Sequence, residues 1–288
     1  MVGLSTRRGG QVRRVLTPRG RTWLGVLSAA LFLVILDVFL NGPLVHLDIW
    51  VHHFDGEARF PALVKVAWAY DKVGQRSVTI PILLIVAAVL ARRNNTWRPV
   101  SLAVFTVLIL NVVVGAMKIL IGRSQTETGV PDVLTGGVIF PSGHSSNMVL
   151  SGGLIIYLLS RYAERPPLRL LTGVVAVATL LTCATSIYIG SHWVSDLIGG
   201  ALVGGILLQA VIVFDRATIR IRQVTRLLIW RRRRAIAMGS PLLGFRQGDG
   251  DRVDAVPVSR RSLGGIVEDM SEMGAAPAAA DLRTSHAE

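Results

Sequence analysis

Residues 141–214 read PSGHSSNMVLSGGLIIYLLSRYAERPPLRLLTGVVAVATLLTCATSIYIGSHWVSDLIGGALVGGILLQAVIVF. Three apolar segments lie in this stretch, at 144–161, 168–189 and 193–214. Each has about the 20 residues that a helix needs to cross a bilayer. Pro141-Ser142-Gly143-His144 opens the first of them, and His192-Trp193-Val194-Ser195-Asp196 opens the third. Two crossings separate the strings, so His144 and His192 are expected at the same membrane face. Two histidines at helix starts, one backed by a carboxylate, are equipment for moving a phosphoryl group through a phosphohistidine.

Working outward, further apolar segments occur at 22–40, 77–91 and 99–121. With 51% hydrophobic residues and a mean hydropathy of +0.52, the chain is too apolar for an ordinary soluble domain. The expected fold is an all-α polytopic integral membrane protein with six transmembrane helices. No small-residue cleavage pattern follows the first span, so it reads as retained and not as a signal peptide. Cys183 is the single cysteine, which excludes disulfides within the chain and cysteine-based zinc sites.

Arginine is distributed by side. Arg7, Arg8, Arg13, Arg14, Arg19 and Arg21 precede the first span. Arg92, Arg93 and Arg98 lie between the second and third, and Arg161, Arg165 and Arg169 between the fourth and fifth. Eight more, from Arg216 to Arg234, follow the sixth. All fall on one side of a six-span arrangement, and the positive-inside rule makes that side cytoplasmic. Both termini are then cytoplasmic, in the cell membrane, and the histidines face outward. The net charge of +13 is accordingly an orientation signal, and nucleic acid is not implied as a partner.

Four regions follow. Residues 1–21 form a basic cytoplasmic lead, and 22–214 a six-helix membrane domain. Residues 215–234 alternate arginine with apolar residues and suit a helix along the inner leaflet, drawn to anionic lipid. Residues 235–288 have the composition of a disordered cytoplasmic tail. Between the first two spans, Leu44–Phe60 mixes apolar residues with His46, Asp48, His52, His53 and Asp55. That pattern suits a helix in the interface with its polar residues toward water, in preference to a metal cluster.

The candidate site residues each have two readings. His192 and Asp196 stand four apart, where Asp196 can accept the ring N–H and fix the tautomer. They also suit a capped helix start and nothing more. Ser142 can cap the fourth span, Gly143 lets a backbone approach an anion, and His144 can protonate a departing oxygen. The same residues suit a plain capping loop. Lys118 and Arg123 end the third span, either as a phosphate clamp or as cations reaching for headgroups.

Taken together, the elements resemble the type 2 phosphatidic acid phosphatase family, the membrane lipid phosphate phosphatases and phosphotransferases. The resemblance covers roughly residues 60–214. The family pattern is Lys-x6-Arg-Pro, Pro-Ser-Gly-His, then Ser-Arg-x5-His-x3-Asp. It implies His192 as nucleophile, Asp196 as its partner and His144 as general acid, with no metal and no cofactor. Lys118 takes the first-motif lysine, but Gln125 and Thr126 replace Arg-Pro, and Thr185 and Ser186 replace Ser-Arg. Two family arginines are absent. Arg123 is expected to stand in for one, with Gln125, Ser142 and Gly143 completing the phosphate-binding set. The implied function is hydrolysis of a lipid phosphate or pyrophosphate at the extracytoplasmic face. Transfer to an alcohol acceptor and silent lipid binding are the alternatives.

Overall fold

The computed structural model describes residues 18–237, so the leading residues 1–17 and the tail 238–288 lie outside the described residues. Among the described residues the chain is helical, with no strand. The helices are α1 (Pro18–Leu40), α2 (Pro43–His52), α3 (Gly56–Arg59), α4 (Val64–Asp71), α5 (Arg76–Arg93), α6 (Arg98–Ile121), α7 (Gly143–Tyr162), α8 (Leu168–Tyr188) and α9 (Val194–Ala237).

Four segments are long and apolar enough to cross a membrane: Thr22–Leu40, Arg98–Thr128, Leu168–Tyr188 and Val194–Trp230. Taken as one span, the pair Pro61–Gly74 and Arg76–Arg93, bent by 46° at its break, makes a fifth. Six spans were expected, and the difference lies in α7. It carries Ser145, Ser146, Asn147 and Ser151, all buried. Its faces meet α5, α8 and α9 through Leu154, Gly152 against Val175, and Gly153 against Leu208. A helix enclosed by other helices meets protein and not lipid, so its composition is not held to the apolar standard.

The bundle has two recognisable ends. At one, the Asn94 side chain donates to the Tyr162 carbonyl (3.2 Å), and Arg98 Nε donates to Asp215 Oδ1 (2.9 Å). Tyr157 donates its hydroxyl to Asp215 Oδ2 (2.6 Å). These contacts gather the end of α5, the start of α6, the end of α7 and the middle of α9. The range of α9, Val194–Ala237, includes residues 215–234. The residues that form the site belong to a compact unit that ends at Arg222.

At the other end, Gly122 (φ +57) terminates α6 in the left-handed conformation that glycine adopts freely. The chain then loops outward and returns, with Leu134 N–H bonded to the Ile121 carbonyl and Thr135 N–H to that of Gly122 (2.9 Å each). The loop leads into Pro141 and α7. Two glycines of α9 let α7 approach closely. A Cβ on Gly200 would fall on the Ser142 carbonyl and Ser145 Oγ, and one on Gly204 would lie 2.7 Å from the Ser146 carbonyl. This small-xxx-small contact brings the two motif-bearing helix starts together.

Candidate active site

His144 is the second residue of α7, and His192 precedes α9 by two. Their rings stand 5.5 Å apart between centroids, inclined at 72°. The Ser142 N–H donates to the Asp196 backbone carbonyl (3.0 Å), tying the two helix starts together.

Each histidine has a carboxylate. His192 Nδ1 lies 3.7 Å from Asp196 Oδ2, within ion-pair range but longer than a hydrogen bond. The same Oδ2 accepts the Trp193 N–H (3.1 Å), the reach-back of a capping box. Trp193 is itself buried, and its Nε1 donates to the Ser124 carbonyl (3.2 Å), which holds the approach to α9. His144 Nε2 lies 3.3 Å from Asp71 Oδ2, and Asp71 Oδ1 accepts the Ser186 hydroxyl (2.9 Å). Asp71 was not anticipated. It ends α4, and no periodicity or spacing links it to His144 in the sequence. Only the bend between α4 and α5 carries it there. Gly74, in that bend, packs on His144, since a Cβ there would lie 3.3 Å from the histidine Cβ.

Arg123 has a different place from the one expected. Its side chain has no solvent exposure, and neither do those of its carboxylate partners. Nη2 donates to Asp48 Oδ2 (2.7 Å), and Nη1 donates to Asp196 Oδ1 (2.5 Å) and Ser195 Oγ (2.6 Å). Asp48 Oδ1 also accepts the Ser195 N–H (2.9 Å), a free donor at the start of α9. Burial pushes the Asp48 carboxyl above its ordinary value, and hydrogen bonds from Ser195 and Arg123 counter that push. The Arg123 guanidinium is thus held between two buried carboxylates, away from solvent. Asp48, expected among water-facing residues, points inward. A residue's position on a surface helix does not reveal the cation supplied to it from another helix.

Lys118 remains a candidate. Its ammonium donates to the Val138 and Ile139 carbonyls, the latter at 3.3 Å. It lines a cavity of about 360 Å³ with Trp68, Gln125, Glu127, Ser191 and His192. His192 also borders a second cavity of about 560 Å³, between α2, α3 and α8, with His52, Phe54 and Tyr188. Ser142 and Gly143 line neither cavity. Ser142 occupies the N-cap of α7 by position, but its side chain makes no capping bond and is fully buried. Arg76, at the start of α5, was also missed. It is exposed, and a Cβ on Gly143 would lie 3.9 Å from its Nη2.

A model described as the PAP2 superfamily matches residues 99–220. Phosphatidylglycerophosphatase B of Bacillus subtilis (strain 168) is 31% identical over 172 residues, which cover 57% of this chain and 81% of that protein. The chain belongs to the PAP2 superfamily. In fold, this PAP2 protein is similar to a crystal structure of a transmembrane PAP2-type phosphatidylglycerolphosphate phosphatase from Bacillus subtilis. The TM-score is 0.59 at 22% identity, over 67% of this chain and 96% of that one. The departures from the family motifs now have positions. Gln125 is exposed at the smaller cavity, Thr126 is buried, and Thr185 bonds within its helix to the Leu181 carbonyl (2.9 Å). Ser186 serves Asp71 where the PAP2 pattern has arginine.

Proposed function

We propose that this membrane protein hydrolyses a lipid phosphate through a covalent phosphohistidine on His192. The observation that carries the reading is the juxtaposition of His144 and His192, each beside its own carboxylate. PAP2 membership and the relation to a phosphatidylglycerophosphatase support a lipid phosphatase-like hydrolase. They favour a glycerophospholipid phosphate ester as substrate, with a lipid pyrophosphate next.

With Asp196 beside Nδ1, His192 presents Nε2 as nucleophile. A bond forms from Nε2 to phosphorus as the ester P–O bond breaks, and His144 gives its proton to the departing alkoxide. Water then attacks the phosphohistidine, His144 takes the water proton, the P–N bond breaks and inorganic phosphate leaves. Asp71 orients His144, and Lys118 with Gln125 faces the phosphate. The helix start at Gly143 adds its dipole. The site is read as extracytoplasmic because Arg92, Arg93, Arg98, Arg161 and Arg169 belong to the opposite helix ends. The basic residues of 215–234 then lie toward anionic lipid on the inner side.

A second reading, transfer to an alcohol, has one observation in its favour: two cavities meet at His192. One can hold the donor phosphate and the other an acceptor. Inorganic phosphate release from lipid phosphates in detergent micelles tests the first reading, with His192→Ala as the control. Release only when an alcohol replaces water as acceptor would favour the second.

A further inference from the structure

We infer that Arg76 binds the substrate phosphate and supplies, from α5, a cation that the motif positions Gln125 and Ser186 lack. The inference rests on the phosphatase reading and names a specificity residue of the same site.

The charge around the histidines motivates it. Asp71 and Asp196 stand behind the two rings, and Arg123 is enclosed by Asp48 and Asp196. A phosphomonoester brings up to two negative charges to this place. Lys118 alone, already donating to two backbone carbonyls, leaves that charge poorly matched. Arg76 is an exposed cation beside the start of α7. A Cβ on Gly143 would lie 3.9 Å from its Nη2, and His144 is the next residue. Arg76 also lies close enough to Lys118 for the two cations to repel each other. Among the described residues its side chain makes no hydrogen bond and no ion pair. Lys118 feels the Asp196 carboxylate, which Arg123 already holds, while the Arg76 guanidinium has no carboxylate partner of its own, and such a cation is arranged for an anion.

Backbone geometry explains why the residue stands there. Asp71, Gly74 and Arg76 belong to the short bend between α4 and α5. Gly74 packs on His144, Asp71 meets His144 Nε2, and Arg76 emerges at the start of α5 beside Gly143. The bend thus carries an anion that orients the acid and a cation that faces the phosphate. A guanidinium can hold two phosphate oxygens at once, which lysine cannot.

The experiment uses the full chain in detergent with inorganic phosphate as probe, titrated by phosphorus NMR. Arg76→Ala should weaken phosphate binding about tenfold or more, Arg76→Lys less, and Arg93→Ala, at the far end of α5, not at all. With a lipid phosphomonoester, kcat/KM should fall about 30-fold in Arg76→Ala. Added guanidinium ion should restore part of it, which a lost lipid anchor would not allow. No phosphate binding by the unaltered chain, or equal binding in a folded Arg76→Ala, overturns the assignment. Phosphate binding that depends on Arg76, without release from any lipid phosphate, would leave Arg76 standing and reject the hydrolase reading.

Discussion

Arg123 Nη1 lies 2.5 Å from Asp196 Oδ1, with neither side chain exposed, so the carboxylate beside His192 is tied to the end of α6. Asp48 of α2 closes the same cluster from the other side of the guanidinium. Removing one member of a buried charge cluster costs about 3–5 kcal/mol, because the partners stay buried and unpaired. Arg123→Ala should therefore lower the melting temperature steeply and take activity with it. Lys118→Ala, by contrast, should raise KM with little loss of stability. An Arg123→Ala protein with normal stability and a raised KM alone would return Arg123 to the phosphate-binding set.

The mechanism separates the two histidines. His192→Ala should abolish both phosphate release and labelling by a phosphorus-32 substrate. His144→Ala should slow turnover of an alkyl phosphate, and slow much less a nitrophenyl phosphate, whose leaving group needs no proton. Asp71→Asn should follow His144→Ala in this leaving-group dependence, at about a tenfold smaller loss, if it acts through that ring. Equal losses for both leaving groups would assign Asp71 a structural role only.

Close approach of α7 and α9 is open to a two-sided test. Gly200→Ala forces a methyl group onto the Ser142 carbonyl and should destabilise by about 2 kcal/mol or more. The histidines should also move apart, with loss of turnover. Gly173→Ala, on α8 with nothing within 4 Å of the new methyl, should be neutral or stabilise by up to ~1 kcal/mol. Thermal unfolding in detergent reads both. The same shift from both substitutions would mean that the glycines matter through helix propensity and not through packing.

Orientation is tested chemically. Glu127 is exposed at the smaller cavity, on the histidine side. In a Cys183→Ser background, Glu127→Cys should react with a membrane-impermeant thiol reagent in intact cells. Labelling that requires lysis would place the site on the cytoplasmic face.

Hydropathy and short motifs are local properties, and what they control was readable. The apolar segments predicted at 22–40, 99–121 and 168–189 are α1, α6 and α8 to within a few residues. Pro141-Ser142-Gly143-His144 and His192-x3-Asp196 mark the starts of α7 and α9, and at α9 the Asp196 carboxylate caps its own helix end by accepting the Trp193 N–H. PAP2 membership was likewise legible in those strings. The apolarity rule was less secure at α7, whose burial among helices is not written in its own residues.

Pairings between distant residues belong to the tertiary structure. Asp71 meets His144, and Asp48 with Asp196 encloses Arg123, across separations that no helical period can encode. Arg123, Asp48 and Arg76 are all charged residues near helix ends, alike in the sequence. Packing buries the first two against each other and leaves the third free. A charge becomes a scaffold or a binding group according to whether a partner reaches it before solvent does, and that is decided by the bend after α4 and by the close contact of α7 with α9.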